Sequence, residues 1–165
     1  MPDNGEIDSL RECSNITEPS TFSKLSVSGQ AAELMIRAAA DHARTLGLAV
    51  SIAVVDESGL LKAFARQDGA SVIAGELAID KAYTAVAMGF GLPTDELFAT
   101  VDGDRPLALN LPGRGRLVLV GGGQPITADE VVIGAIGVAG GHYTHDMQIA
   151  EAAVRAFCDA HAEPV

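Results

Sequence analysis

The sequence has no tryptophan, two tyrosines and two cysteines, and it is short of positive charge. Each shortage excludes something. Cys13 and Cys158 follow no metal-ligand or redox spacing, so neither a cysteine metal site nor a disulfide is expected. Eleven Lys and Arg stand against 22 Asp and Glu, a formal net charge of -11. Such a surface repels phosphate backbones, and no basic stripe interrupts it, so no nucleic-acid partner is expected. No apolar run reaches the length of a membrane span. The opening MPDNGEIDSLREC lacks the basic and apolar regions of a secretory leader, so the expected location is cytoplasmic, with no membrane partner. What remains is a chain of 165 residues, 48% hydrophobic and led by Ala, Val, Leu and Ile. That is the profile of one Ala-packed domain with a normal core.

Residues 1–26 show no periodicity and read as a flexible arm, and residues 27–165 read as the domain. Ser28 is a plausible N-cap, after which Ala31, Leu34, Met35, Ala38, His42 and Leu46 recur at helical spacing until Gly47. His42 lies on that apolar stripe, as a boundary histidine would. Two β-rich runs, 48–55 and 60–66, flank Asp56-Glu57-Ser58-Gly59 and predict a hairpin with Gly59 in the left-handed position. The stretch SVIAGELAIDKAYTAVAMGF, 71–90, predicts a long Ala-rich helix, and Pro93 opens a shorter one over 94–101. The segment DGDRPLALNLPGRG is irregular, long enough for a lid or interface loop. Segments 116–120, 124–127 and 131–139 read as strands, and Thr144 as the cap of a final helix with Met147, Ala150, Val154, Phe157 and Cys158 on its apolar face. The order is α-ββ-αα-βββ-α: an α+β fold with a five-stranded antiparallel sheet flanked by helices.

Common cofactor motifs fail. VGGGQPI has no Lys-Ser/Thr after it, GRGRLVLVGGG leads into a strand, and there is no nucleophile elbow or H-E-x-x-H. Four positions carry the chemistry instead. Lys81 falls in the middle of an apolar helical face, so it snorkels, or meets a buried acceptor, an anionic ligand or a catalytic task. Arg66 and Asp68 end the second hairpin strand; Arg66 either clamps a carboxylate or pairs with Asp56, Asp68 or Asp80. His142 and His145, around Tyr143, stand where strand passes to helix. They can ligate metal or haem iron, move protons, or simply cap and face solvent. Arg66, Lys81 and the histidines converge only if the hairpin neighbours the last strand.

VVDESGLLKAFARQDGA, KAYTA, GGGQPI and VVIGAIGVAGG together resemble the GlcG/HbpS-like haem-binding family, formerly a domain of unknown function. The family is also related to the C-terminal domain of corrinoid adenosyltransferase-type proteins. The resemblance covers about residues 27–160 in order. It is carried by Asp56, Gly59, Arg66, Asp68, Gly69, Ala70, Lys81, Thr84, Gly122, Gly123, Pro125, Ile126, Gly134, Ile136, Gly137, Gly140 and Asp146. It implies an antiparallel sheet with helices, homo-oligomers, and a small-molecule ligand that in several members is haem. This chain departs from the family at Gln124, at Ala128-Asp129-Glu130, at Ala139 and in its HYTH. Two readings follow. One is a haem-binding or redox-accessory protein, with His142, His145 or Tyr143 on iron and Arg66 or Lys81 on a propionate. The other is a cofactor-independent isomerase or lyase, with His142 or His145 as acid or base and Lys81 or Arg66 on an anionic group. In either, Asp68, Gly123 and Gly140 belong to the ligand site.

Overall fold

The computed structural model describes residues 22–162. The expected arm falls largely outside them, as does Cys13. Nine elements follow in order: α1 (Gly29–Thr45), β1 (Ser51–Asp56), β2 (Leu61–Arg66), α2 (Val72–Ala87), α3 (Thr94–Asp102), α4 (Arg105–Asn110), β3 (Gly123–Ala128), β4 (Val131–Ala139) and α5 (Tyr143–His161). The strands form one antiparallel sheet in the order β2-β1-β4-β3. The hairpin and the last strand are therefore neighbours, and Arg66, Ser51 and Ala139 lie in one row across the sheet.

The sheet has four strands, not five. The apolar run within 116–120 suggested another, but this stretch makes no ladder. Its backbone is met by hydroxyls instead: Thr84 Oγ1 accepts from Val118 N at 2.9 Å, and Thr94 Oγ1 donates to the Val120 carbonyl at 2.7 Å. Satisfied from the helices, those groups have no need of the sheet edge. The irregular segment before it also contains the short helix α4, capped by Asp104, whose side chain accepts from Leu107 N.

Helix α1 obeys its sequence signals. Ser28 Oγ accepts from Ala31 N at 3.1 Å, and Gly47 takes φ +68° past the last turn, where only a residue without Cβ is unstrained. With α5 it covers one face of the sheet, burying Met35, Ile52, Val54, Ile136, Val138 and Ile149. The buried stripe of α5 is Asp146, Ile149, Ala150, Ala153 and Phe157, and Cys158 is exposed, not on that stripe as its spacing suggested. Helix α2 covers the other face through Ala74, Ala78, Ala82 and Ala85. It lies so close that a Cβ on Gly137 would run into the Ala78 carbonyl oxygen and meet Ala82 N at 2.6 Å.

At the β1–β2 turn, Asp56 Oδ1 accepts from Ser58 N and Leu60 N at 3.0 and 2.9 Å, an Asx arrangement. Gly59 has φ +77°, as the hairpin required. The Ser26 and Ser58 hydroxyls beside Glu57 hold its carboxyl below the ordinary range. The β3–β4 turn is less comfortable: Asp129 and Glu130 adopt φ 49° and 64°, a conformation that favours Asn-Gly.

Candidate functional site

Lys81 is buried, and its stem does not snorkel. Its ammonium donates to Asp146 Oδ2 at 2.8 Å and to the Val138 carbonyl at 3.0 Å. Asp146 Oδ1 in turn accepts from Gly141 N at 3.1 Å. One ion pair thus ties the middle of α2 to the end of β4 and the first turn of α5. Asp146 does suit the positive end of the helix dipole, but its larger partner is Lys81. Among the described residues, Lys81 is not on the walls of the five main cavities. Lys81 and the histidine segment do come together, through Asp146 and not through imidazole.

The cap of α5 is His142, not Thr144. The helix starts at Tyr143, two residues earlier than a Thr144 cap implies, and the His142 side chain accepts from Thr144 N. His142 Nδ1 lies 2.9 Å from Thr144 Oγ1 and 3.4 Å from its amide nitrogen. Accepting from an amide requires an unprotonated Nδ1, so the capping imidazole is the Nε2–H tautomer. In that form the outward nitrogen has no lone pair for a metal. His142 stacks against Tyr143 with ring centroids 4.4 Å apart. His145 is exposed and lines no cavity. Among the described residues no group of three or more His, Cys, Asp or Glu could hold a free metal ion.

Tyr143 faces a groove that the sequence did not reveal. Two adjoining cavities, of about 320 and 280 Å³, share Phe98, Leu119 and Val120 as walls. The first runs on past Val101, Asp102, Ala108, Pro112 and Leu117, and the second ends at Asp95, Gly121 and Tyr143. Together they make an apolar slot between α3, the 117–121 segment and the start of α5. The walls come from α3, α4 with Pro112, the 117–121 segment and Tyr143, and one of these read as a strand in the sequence. The one sequence signal was the long irregular segment itself.

The remaining candidates lie elsewhere. Arg66 and Asp68 share a separate cleft at the end of β2 with Arg44, Leu48, Ala49 and Gln67. Gly123 is a close-packing residue: a Cβ there would meet the Lys81 carbonyl oxygen at 2.5 Å and Thr94 Cγ2 at 2.6 Å. Gly140, at φ +144°, lets the chain leave β4 within 2.7 Å of the Ala49 carbonyl oxygen, measured to where its Cβ would stand. Neither glycine lines a cavity.

Comparison with known proteins gives this architecture a context. The family model described as "Haem degrading protein HbpS-like" matches residues 27–155. Corrinoid adenosyltransferase PduO of Citrobacter freundii is 35% identical over 133 residues, 80% of this chain but 39% of that protein. The chain therefore spans well under half of that relative. Protein GlcG of Escherichia coli K12 is 35% identical over 116 residues, 70% of this chain and 83% of that one. Among solved structures, a PduOC:haem complex superimposes with TM-score 0.72 at 33% identity, covering 80% of this chain and 95% of that chain. A double mutant of Streptomyces reticuli HbpS gives TM-score 0.77 at 29% identity over 91% and 97% of the two chains.

Proposed function

The chain belongs to the HbpS-like family, and from that premise we propose that it binds haem in the groove bounded by Phe98, Leu119, Val120 and Tyr143. The observation that carries this reading is the groove's chemistry. A porphyrin needs a broad apolar slot with a ligating atom at its wall, and small-molecule sites generally combine apolar walls with few polar groups. The two adjoining cavities supply the slot. Of the three candidate ligands, Tyr143 alone lines it. A tyrosine phenolate is an established haem-iron ligand type. Bound haem would supply one-electron chemistry. The residues of this chain would bury the macrocycle and keep water from its face, and they fit a binding or redox-accessory role in a cytoplasmic protein.

A homo-oligomer suits the same reading. The outer strand β2 and the start of α2 that follows it leave Leu61, Phe64, Val72 and Ile73 exposed, a set of apolar groups usually covered by a partner. Light scattering on the purified protein checks that point. The decisive experiment is a hemin titration followed by absorption spectroscopy. A saturable Soret shift is expected, with Tyr143→Phe changing the position of the ligand-sensitive bands and Phe98→Asp preventing uptake. Uptake indifferent to both substitutions would remove haem from this groove.

A further inference from the structure

The second cleft has its own logic. Among the described residues the ion pairs are Glu33–Arg37, Asp41–Arg44, Lys81–Asp146, Asp80–Arg116 and Glu151–Arg155. Arg66 and Asp68 appear in none of them. The internal pairing of Arg66 with Asp56, Asp68 or Asp80 that its sequence position allowed is therefore not made. Arg105 and Arg114 also appear in none of them, and Arg66 differs from these in how it is held.

Nor is Arg66 loose. Its Nε and Nη2 both donate to the Ala70 carbonyl, at 3.2 and 2.8 Å, so one edge of the guanidinium is fixed by its own turn. The turn is fixed as well. Gln67 Oε1 accepts from Val50 N at 2.9 Å, and its Nε2 donates to the Ala40 carbonyl at 3.1 Å, fastening the end of β2 to β1 and α1. The remaining donors of Arg66 border a cleft of about 440 Å³ shared with Arg44, Leu48, Ala49 and Asp68. Arg44 is already engaged by Asp41, so among the described residues the cleft offers one exposed guanidinium and one exposed carboxylate that belong to no ion pair.

We propose that this cleft binds a small α-hydroxy or α-amino carboxylic acid, with the acid's carboxylate on Arg66 and its hydroxyl or ammonium donating to Asp68. The fixed guanidinium meets a carboxylate through its planar fork, which a lysine point charge does not reproduce. Asp68 would repel a bare anion, and so selects ligands that bring a donor beside their carboxylate. The site is independent of the apolar groove, whose walls share no residue with it.

The test uses L-lactate and propionate, which differ by the hydroxyl, followed by amide NMR shifts on the full chain. Lactate should bind saturably, with shifts centred on residues 44–50 and 66–70. Propionate should bind about tenfold more weakly, the worth of one hydrogen bond to a charged group. Asp68→Asn should shrink that preference, and Arg66→Gln and Arg66→Lys should both abolish binding while the rest of the amide spectrum is unchanged. Hemin uptake by Arg66→Gln should match that of the unsubstituted protein. No saturable binding of lactate, equal binding of the two acids, or lactate binding that survives Arg66→Gln would overturn the proposal. If Arg66→Gln lost hemin and lactate together, the cleft would serve porphyrin carboxylates and the free-acid site would fall. Failure of hemin to bind at all would leave the lactate result standing by itself.

Discussion

The Lys81 ammonium lies 2.8 Å from Asp146 Oδ2, with only 1% and 3% of the two side chains exposed. Two opposite charges removed from water in this way stand only as a pair, because each alone would carry an uncompensated desolvation cost. Lys81→Met should therefore destabilise the protein by about 3–5 kcal/mol, and Asp146→Asn by a comparable amount. The double substitution should recover much of that loss. Urea unfolding of the four proteins gives the coupling. Single-variant losses below about 1 kcal/mol, in the range of exposed pairs, would show that the pair does not hold α2 to α5.

His142 carries a different prediction. As an N-cap, it should cost about 1 kcal/mol when replaced by Ala and little when replaced by Asn, which caps equally well. If Tyr143 is the iron ligand, neither change should move the Soret band of the hemin complex. Nitrogen NMR of the unsubstituted imidazole at high pH should show the Nε2–H tautomer that accepting at Nδ1 demands. An Nδ1–H tautomer would remove the cap and free the outer nitrogen for iron.

The β3–β4 turn should be improvable. Asp129 and Glu130 both sit at positive φ, which Gly, Asn and Asp tolerate but which strains other side chains by about 1 kcal/mol or more, so the strain falls mainly on Glu130. Asp129→Asn with Glu130→Gly should raise the melting temperature by several degrees, about 2–4 °C for each kcal/mol in a chain of this size. A lowered melting temperature would mean that these carboxylates make contacts outweighing their backbone strain.

Glu57 gives the pH dependence. Hydrogen bonding from Ser26, then Ser58, lowers its folded-state pKa. A depressed carboxylate contributes stability that is fully present above its unfolded-state value and is lost as pH falls through the folded-state value. Ser58→Ala should move the Glu57 titration back toward the ordinary range, read from its side-chain carboxyl carbon by NMR. An unmoved titration would take Ser58 out of the account.

How legible all this was depended on whether the deciding interactions were local. Helix α1 could be read from Ser28 and Gly47 because a cap and a left-handed stop each act within four residues. Strand β4, at 131–139, matched its apolar run to the residue. The 116–120 stretch read as a strand because a short apolar run rich in Val and Leu fits one, whereas the hydroxyls of Thr84 and Thr94 that satisfy its backbone lie more than 20 residues away. Lys81 was conspicuous for its place on an apolar stripe, and a buried acceptor was one of the answers weighed. That Asp146 is the acceptor depends on Lys81 reaching from α2 past the end of β4 to the first turn of α5, which no spacing states. The apolar groove was invisible for the same reason. Its walls are ordinary hydrophobic residues until α3 folds over the 117–121 segment.

The contrast between the two faces of the sheet governs how the sequence can drift. Under α1 and α5 the interface sets Val, Ile, Met and Phe side chains among helix alanines, and the larger side chains can be exchanged for one another at constant total volume. Under α2, Gly137 meets helix backbone directly. That face has no volume to trade, and even a methyl group must displace the helix. Descendants of this sequence are free to vary one side of the domain and are confined to nearly a single solution on the other. New ligand specificities are thus expected to arise in α3, α4 and the strand ends, with α2 and its glycine seat as the fixed reference against which they change.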